Sequence, residues 1–70
     1  MSVEVLSPIT GNIWKFEVED GAQVAAGDAI LIMESMKMEI PVEAPAAGVC
    51  RFKVSPGGNV QEDDVLAVIE

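Results

Sequence analysis

Apolar positions along the chain come in short runs with period two, separated by Pro and Gly. Residues 3–6 alternate and are rich in branched side chains, the pattern of a half-buried strand, and Ser7-Pro8-Ile9-Thr10-Gly11 then interrupts it. Residues 13–18 alternate again, with Ile13, Lys15 and Glu17 on one face and Trp14, Phe16 and Val18 on the other. That alternation predicts a core role for Trp14, the only tryptophan. Asp20-Gly21 is a strong turn dipeptide, Gly27-Asp28 is a second break, and residues 22–27 read as a short turn or loop. Residues 29–33 are continuously apolar, short enough for a strand buried on both faces. Helix is disfavoured in these runs because the period is two and Pro or Gly interrupts them often.

The pattern then recurs. Pro8 and Gly11 match Pro45 and Gly48, and the six residues from Ile13 match the six from Val49, which sets Cys50 against Trp14. Gly21 matches Gly57, Val24 matches Val60, Asp28 matches Asp64, and the run from Ala29 to Glu34 matches that from Val65 to Glu70. One residue near Asn12 is extra in the first copy. A repeat this regular is a structural statement: two units that cannot bury their apolar faces alone can bury them against each other. The expected fold is all-β, a small sandwich or flattened barrel with an approximate two-fold axis.

Length and composition narrow the chemistry. Seventy residues make a single domain, residues 1–70, and the core must come from the 50% of residues that are apolar. Cys50 is the only cysteine and there is no histidine, so an internal disulfide and a Cys/His zinc set are both excluded. Cys50 reads as a small buried apolar residue. The net charge of −8, with only Lys15, Lys37, Arg51 and Lys53 basic, argues against nucleic-acid binding. No apolar run approaches a membrane span, so membrane insertion is not expected. The start at Met1 shows no basic, cleavable leader and mildly favours a stand-alone protein over an excised domain; the expected location is the cytoplasm or another reducing compartment such as the mitochondrial matrix. Pro56-Gly57-Gly58 lacks the Lys-Ser/Thr of a phosphate loop, and Asp63-Asp64 offers too few ligands for calcium. No nucleophile, acid/base pair or metal set is placed together, so an independent enzyme is not expected.

Lys37 stands at the seam between the two copies, in Glu34-Ser35-Met36-Lys37-Met38-Glu39. One strand enters and one leaves, so a tight turn must fall at about residues 36–38. Two-residue hairpins favour Asn-Gly, Asp-Gly or Gly-containing pairs, because the central residues need positive φ. Met, Lys and Met break that rule, and broken local rules are often functional. On these residues alone two readings stay open: a solvated lysine with methionines folded back as core filler, or an exposed lysine held for modification.

The same segment resembles the signature of the biotinyl/lipoyl attachment family, in particular its biotin branch, where methionines flank the modified lysine at a hairpin tip. Sister lipoyl domains usually carry Asp-Lys-Ala or similar. The resemblance extends over the whole chain, through Gly11, the Asp20-Gly21 turn, Gly27-Asp28, Gly48, Gly57 and Asp64. It implies a flattened barrel-sandwich of two four-stranded sheets with quasi-two-fold symmetry. It further implies biotin attached covalently to Lys37, with Glu34, Met36 and Met38 as motif and ligase-recognition residues, and Gly11, Gly21, Gly27, Gly48 and Gly57 as structural turns. The partners it implies are a biotin protein ligase, a biotin carboxylase and a carboxyltransferase, between which the tethered group carries a carboxyl. A lipoyl or dual biotin/lipoyl acceptor is the alternative. The longer protruding loop of some bacterial carriers does not fit between Gly21 and Gly27.

Overall fold

The computed structural model describes residues 2–70. Eight strands form in chain order: β1 (Val3–Leu6), β2 (Gly11–Phe16), β3 (Gln23–Val24), β4 (Ala29–Ser35), β5 (Met38–Glu43), β6 (Gly48–Phe52), β7 (Asn59–Val60) and β8 (Val65–Ile69). They make two antiparallel four-stranded sheets, ordered β1-β8-β6-β3 and β5-β4-β2-β7. Exchanging β1 with β5, β2 with β6, β3 with β7 and β4 with β8 turns one order into the other, which is the expected two-fold.

The two copies do not form one sheet each. Every sheet takes two strands from each copy, so the halves are interleaved and neither can close its hydrogen bonding alone. The core between the sheets gathers Ile13, Ile30, Leu31, Met33, Cys50, Leu66, Ala67 and Ile69, with Phe16, Val18, Phe52 and Val54 packed at its margin. Ile30 and Leu31 are both buried, as the continuous apolar run predicts. Removing these side chains from water is the main favourable term available to the fold. Ser7 is the one buried polar residue among those described; its hydroxyl donates to the Ile9 carbonyl at 2.6 Å and approaches Met33 Sδ at 3.3 Å.

The structure overturns the expected alternation at the start of β2, while Phe16 and Val18 face the core as expected. Ile13 is buried, whereas Trp14 is 45% exposed. The cause is a β-bulge: Ile13 pairs with Met33 and Lys15 with Ile32, which leaves Trp14 with no partner on β4. An extra residue in one strand of a pair shifts the side-chain alternation beyond it. In the second copy Cys50 pairs with Ile69 and Arg51 with Val68, without a bulge. Matching hydrogen bonds fix the alignment: Gly57 N donates to the Ile13 carbonyl and Gly21 N to the Cys50 carbonyl, each at 2.7 Å. The counterpart of Cys50 is therefore Ile13, and the extra residue of the first copy is Trp14 itself rather than a residue near Asn12.

Candidate functional site

Strands β4 and β5 pair from Ala29 opposite Glu43 up to Ser35 opposite Met38, which leaves only Met36 and Lys37 to turn the chain. Both have positive φ, 53° at Met36 and 66° at Lys37, the signature of a type I′ hairpin. The left-handed region costs a side-chain-bearing residue about 1–2 kcal/mol. Met36 and Lys37 thus hold a geometry that Asn-Gly would adopt with less strain. The pairing that imposes it comes from the long β4–β5 ladder behind them.

That geometry pushes the tip outward. Met36 is 91% exposed and Met38 60%, and Lys37 is exposed between them. The alternative in which Met36 and Met38 return to the core is not what the fold adopts; among the described methionines only Met33, four residues before Lys37, is buried. Met38 opens β5 rather than belonging to the turn. Among the described residues the ion pairs join Lys15 to Glu17 and Arg51 to Glu70, and neither involves Lys37.

The base of the hairpin is braced by the start of β2. Ser35 Oγ donates to the Thr10 carbonyl at 3.0 Å. A Cβ added to Gly11 would lie 2.6 Å from the Glu34 carbonyl oxygen and 3.1 Å from Ser35 Cβ, so only glycine lets β2 come this close. Gly48 meets the Glu70 carbonyl in the equivalent way. Gly11 and Gly48 accordingly begin strands and are not turn residues, a correction to the expectation from sequence. Gly21, Gly27 and Gly57 lie in turns with positive φ, and the counterpart of Gly27 in the second copy is Asp63, at φ 72°.

Glu34 is exposed on the outer face of β4, where it pairs with Asn12 on one side and Glu39 on the other. Its counterpart Glu70 is tied to Arg51, with Nε and Oε1 3.3 Å apart. Lys15 lies within β2, and Lys53 follows β6 with its backbone N–H bonded to the Leu66 carbonyl at 2.8 Å. Of the three lysines, Lys37 alone sits at a two-residue tip. Cys50 is fully buried, and burial first, then the charge of Asp20, pushes its thiol pKa up, which keeps it protonated and unreactive.

The tip can be set beside known proteins. A family model for biotin/lipoyl attachment domains, described as "Biotin-requiring enzyme", matches residues 3–69. The "Biotinylated protein TB7.3 homolog" of Mycobacterium leprae is 41% identical over 70 residues, covering 99% of both chains. The "Biotin/lipoyl attachment protein" of Bacillus subtilis is 44% identical over 59 residues, covering 83% of this chain and 81% of its own. Among solved structures, the urea carboxylase of Kluyveromyces lactis superposes with a TM-score of 0.92 at 34% identity, covering 100% of this chain but 6% of the carboxylase. The signature read at residues 34–39, the interleaved two-sheet fold and a match running through all eight strands agree: the chain belongs to the biotin/lipoyl attachment family.

Proposed function

We propose that Lys37 is the biotin acceptor and that the domain is a carrier, not a catalyst, for a biotin-dependent carboxylase, decarboxylase or transcarboxylase. The observation that carries this reading is the tip itself: an exposed primary amine on a strained two-residue turn, with no ion-pair partner among the described residues. The site suits a covalent cofactor. A lysine amine is nucleophilic once it loses its proton, and its four-carbon stem gives the attached group reach. In the acylation, Nζ forms a C–N bond to the carbonyl of an activated biotin acyl group, the C–O bond to the activating adenylate breaks, AMP leaves with the bonding pair, and the amine proton passes to solvent. The product amide is uncharged, so the tip loses its one cation.

Bound biotin would supply a ring nitrogen that accepts and releases a carboxyl group; the protein supplies placement. The rigid β4–β5 ladder holds the arm clear of the body. Tethering makes each encounter local and raises the effective concentration at a partner's active site. A biotin protein ligase, a biotin carboxylase and a carboxyltransferase are the partners this role requires. The resemblance to a domain of urea carboxylase supports the carboxylase setting, and because the chain spans only 6% of that protein, the carboxyl acceptor is left open.

Incubation of the chain with biotin, ATP and a biotin protein ligase, followed by intact mass measurement, tests the reading. One biotinyl group should add to the wild type and none to Lys37→Arg. No addition under conditions that modify a known acceptor would overturn it. The name of the Bacillus relative gives a second reading, a lipoyl or dual acceptor, and a lipoyl ligase arm in the same assay decides between them.

A further inference from the structure

The two-fold relates almost every feature of one sheet to the other, and the bulge breaks it. On the outer face of the sheet that carries the hairpin, Lys15 pairs with Ile32 and Ile32 with Pro41. Trp14 joins this row from the bulge, with Lys15 Nζ 4.8 Å from the centre of its ring. The equivalent row on the other sheet reads Arg51, Val68 and Glu4, with no aromatic residue. Nearer the tip, the next outward row crosses all four strands as Asn59, Asn12, Glu34 and Glu39. The hairpin-bearing sheet therefore presents a row of Ile32, Pro41 and an exposed indole with Lys15 lying over it, then a row carrying two glutamates, then Lys37.

We propose that this outer face is the docking surface for the enzyme that acylates Lys37, with Trp14 as its anchor. This rests on Lys37 being the acceptor. Exposed Trp is rare on free surfaces and enriched at the energetic centre of interfaces. The acidic row, on a chain of net charge −8, calls for a partner whose matching surface has an apolar recess rimmed by Lys or Arg. Position selects the acylating enzyme over a partner that uses the loaded carrier. Ile32 lies five residues before Lys37, about 16 Å along an extended strand, within one standard interface footprint. An enzyme that must bring Nζ itself to its active site has to hold the body of the domain at this range. A partner acting on the ring works at the far end of a long flexible arm and needs no such hold.

The test is steady-state biotinylation of the full chain by a biotin protein ligase, with Arg51→Ala on the opposite sheet as a surface control. Trp14→Ala should raise KM about thirtyfold or more, the loss of a typical hot spot, with kcat changed by less than about twofold. Glu34→Gln with Glu39→Gln should raise KM at low salt and lose that effect as salt is added. Circular dichroism checks that each variant folds. Should Trp14→Ala fail to fold, the wild type labelled with 5-fluorotryptophan answers the question, because its single 19F resonance should shift on adding unlabelled ligase. An unmoved resonance at saturating ligase, or a wild-type KM in a folded Trp14→Ala chain, overturns the proposal. So does a Trp14→Ala chain that is biotinylated normally but used poorly by a carboxylase. Failure of the wild type to accept biotin at all would instead sink the reading of Lys37.

Discussion

Phe16 stacks on Phe52, with ring centroids 3.7 Å apart and planes 7° from parallel, and each is the other's counterpart in the repeat. Phe16 pairs with Leu31 in one sheet as Phe52 does with Ala67 in the other. The contact thus joins the two sheets at the margin of the core, where both rings are half-buried. It is the aromatic form of what the interleaved strands do with hydrogen bonds, since neither half completes itself.

A stack shared between symmetric partners should show in a double-mutant cycle. Phe16→Ala and Phe52→Ala are each expected to cost about 2–3 kcal/mol, below the full core value because the rings are only half-buried. In a domain this small that is a fall in Tm of about 10–20 °C. The double variant should cost about 1 kcal/mol less than the sum, the part that belongs to the ring pair. Urea unfolding of the four proteins measures it, and strict additivity would mean the rings contribute only through burial.

At the tip, strain and acceptance should separate. Glycine meets no steric penalty at the φ of 53° that Met36 holds, although it gives the unfolded chain more freedom. Met36→Gly is expected to stabilise the domain by about 0.5–1 kcal/mol, the αL relief less that entropy. Biotin acceptance at Lys37 should nevertheless fall, because the 91% exposed thioether is gone from beside the amine. Thermal melts and ligase kinetics on one preparation give both numbers. A variant that is both more stable and a better acceptor would leave the methionine without a role in acceptance.

The residues that sequence patterning placed well are those whose neighbours are local. The alternation of β1, the continuous run of β4 and the tight turn at Lys37 were legible because each depends on a few consecutive side chains. The repeat predicted the two-fold, but not that each sheet borrows two strands from each half, since strand pairing at long sequence separation leaves no local mark. Strands β3 and β7 contain two residues each, too few to carry a period. Trp14 was misplaced for a sharper reason: period-two alternation holds only while the ladder does, and a bulge resets it. The extra residue in the first copy was the available signal. Its position is masked in the sequence because Trp14 and Cys50 are both apolar and the gap can slide to Asn12 without breaking the pattern. Gly11 reads in the sequence as a turn glycine because the Glu34 carbonyl that requires it lies on another strand.

Cys50 makes a pH prediction whose sign follows from its surroundings. Burial, and secondarily the charge of Asp20, raises the folded thiol pKa above that of the unfolded chain. Below the unfolded value both states hold the proton and the thiol favours neither. As pH rises past it, the unfolded chain releases its proton while the folded chain keeps it, so the unfolded state gains. Stability is therefore lost progressively as pH rises from the thiol's ordinary value of 9.0 toward the raised folded value. Every other charged group is common to a variant that changes only the thiol. The fall in Tm between pH 7 and pH 10 should accordingly be larger for the wild type than for Cys50→Ala, even though the variant starts lower because it leaves a small cavity. Asp20→Asn keeps an oxygen to accept from the Phe52 N–H, now 2.9 Å from Asp20 Oδ1, while removing the charge, so it should lessen the alkaline loss without abolishing it. Equal alkaline losses in the wild type and Cys50→Ala would mean that the thiol titrates alike in both states and would overturn the prediction.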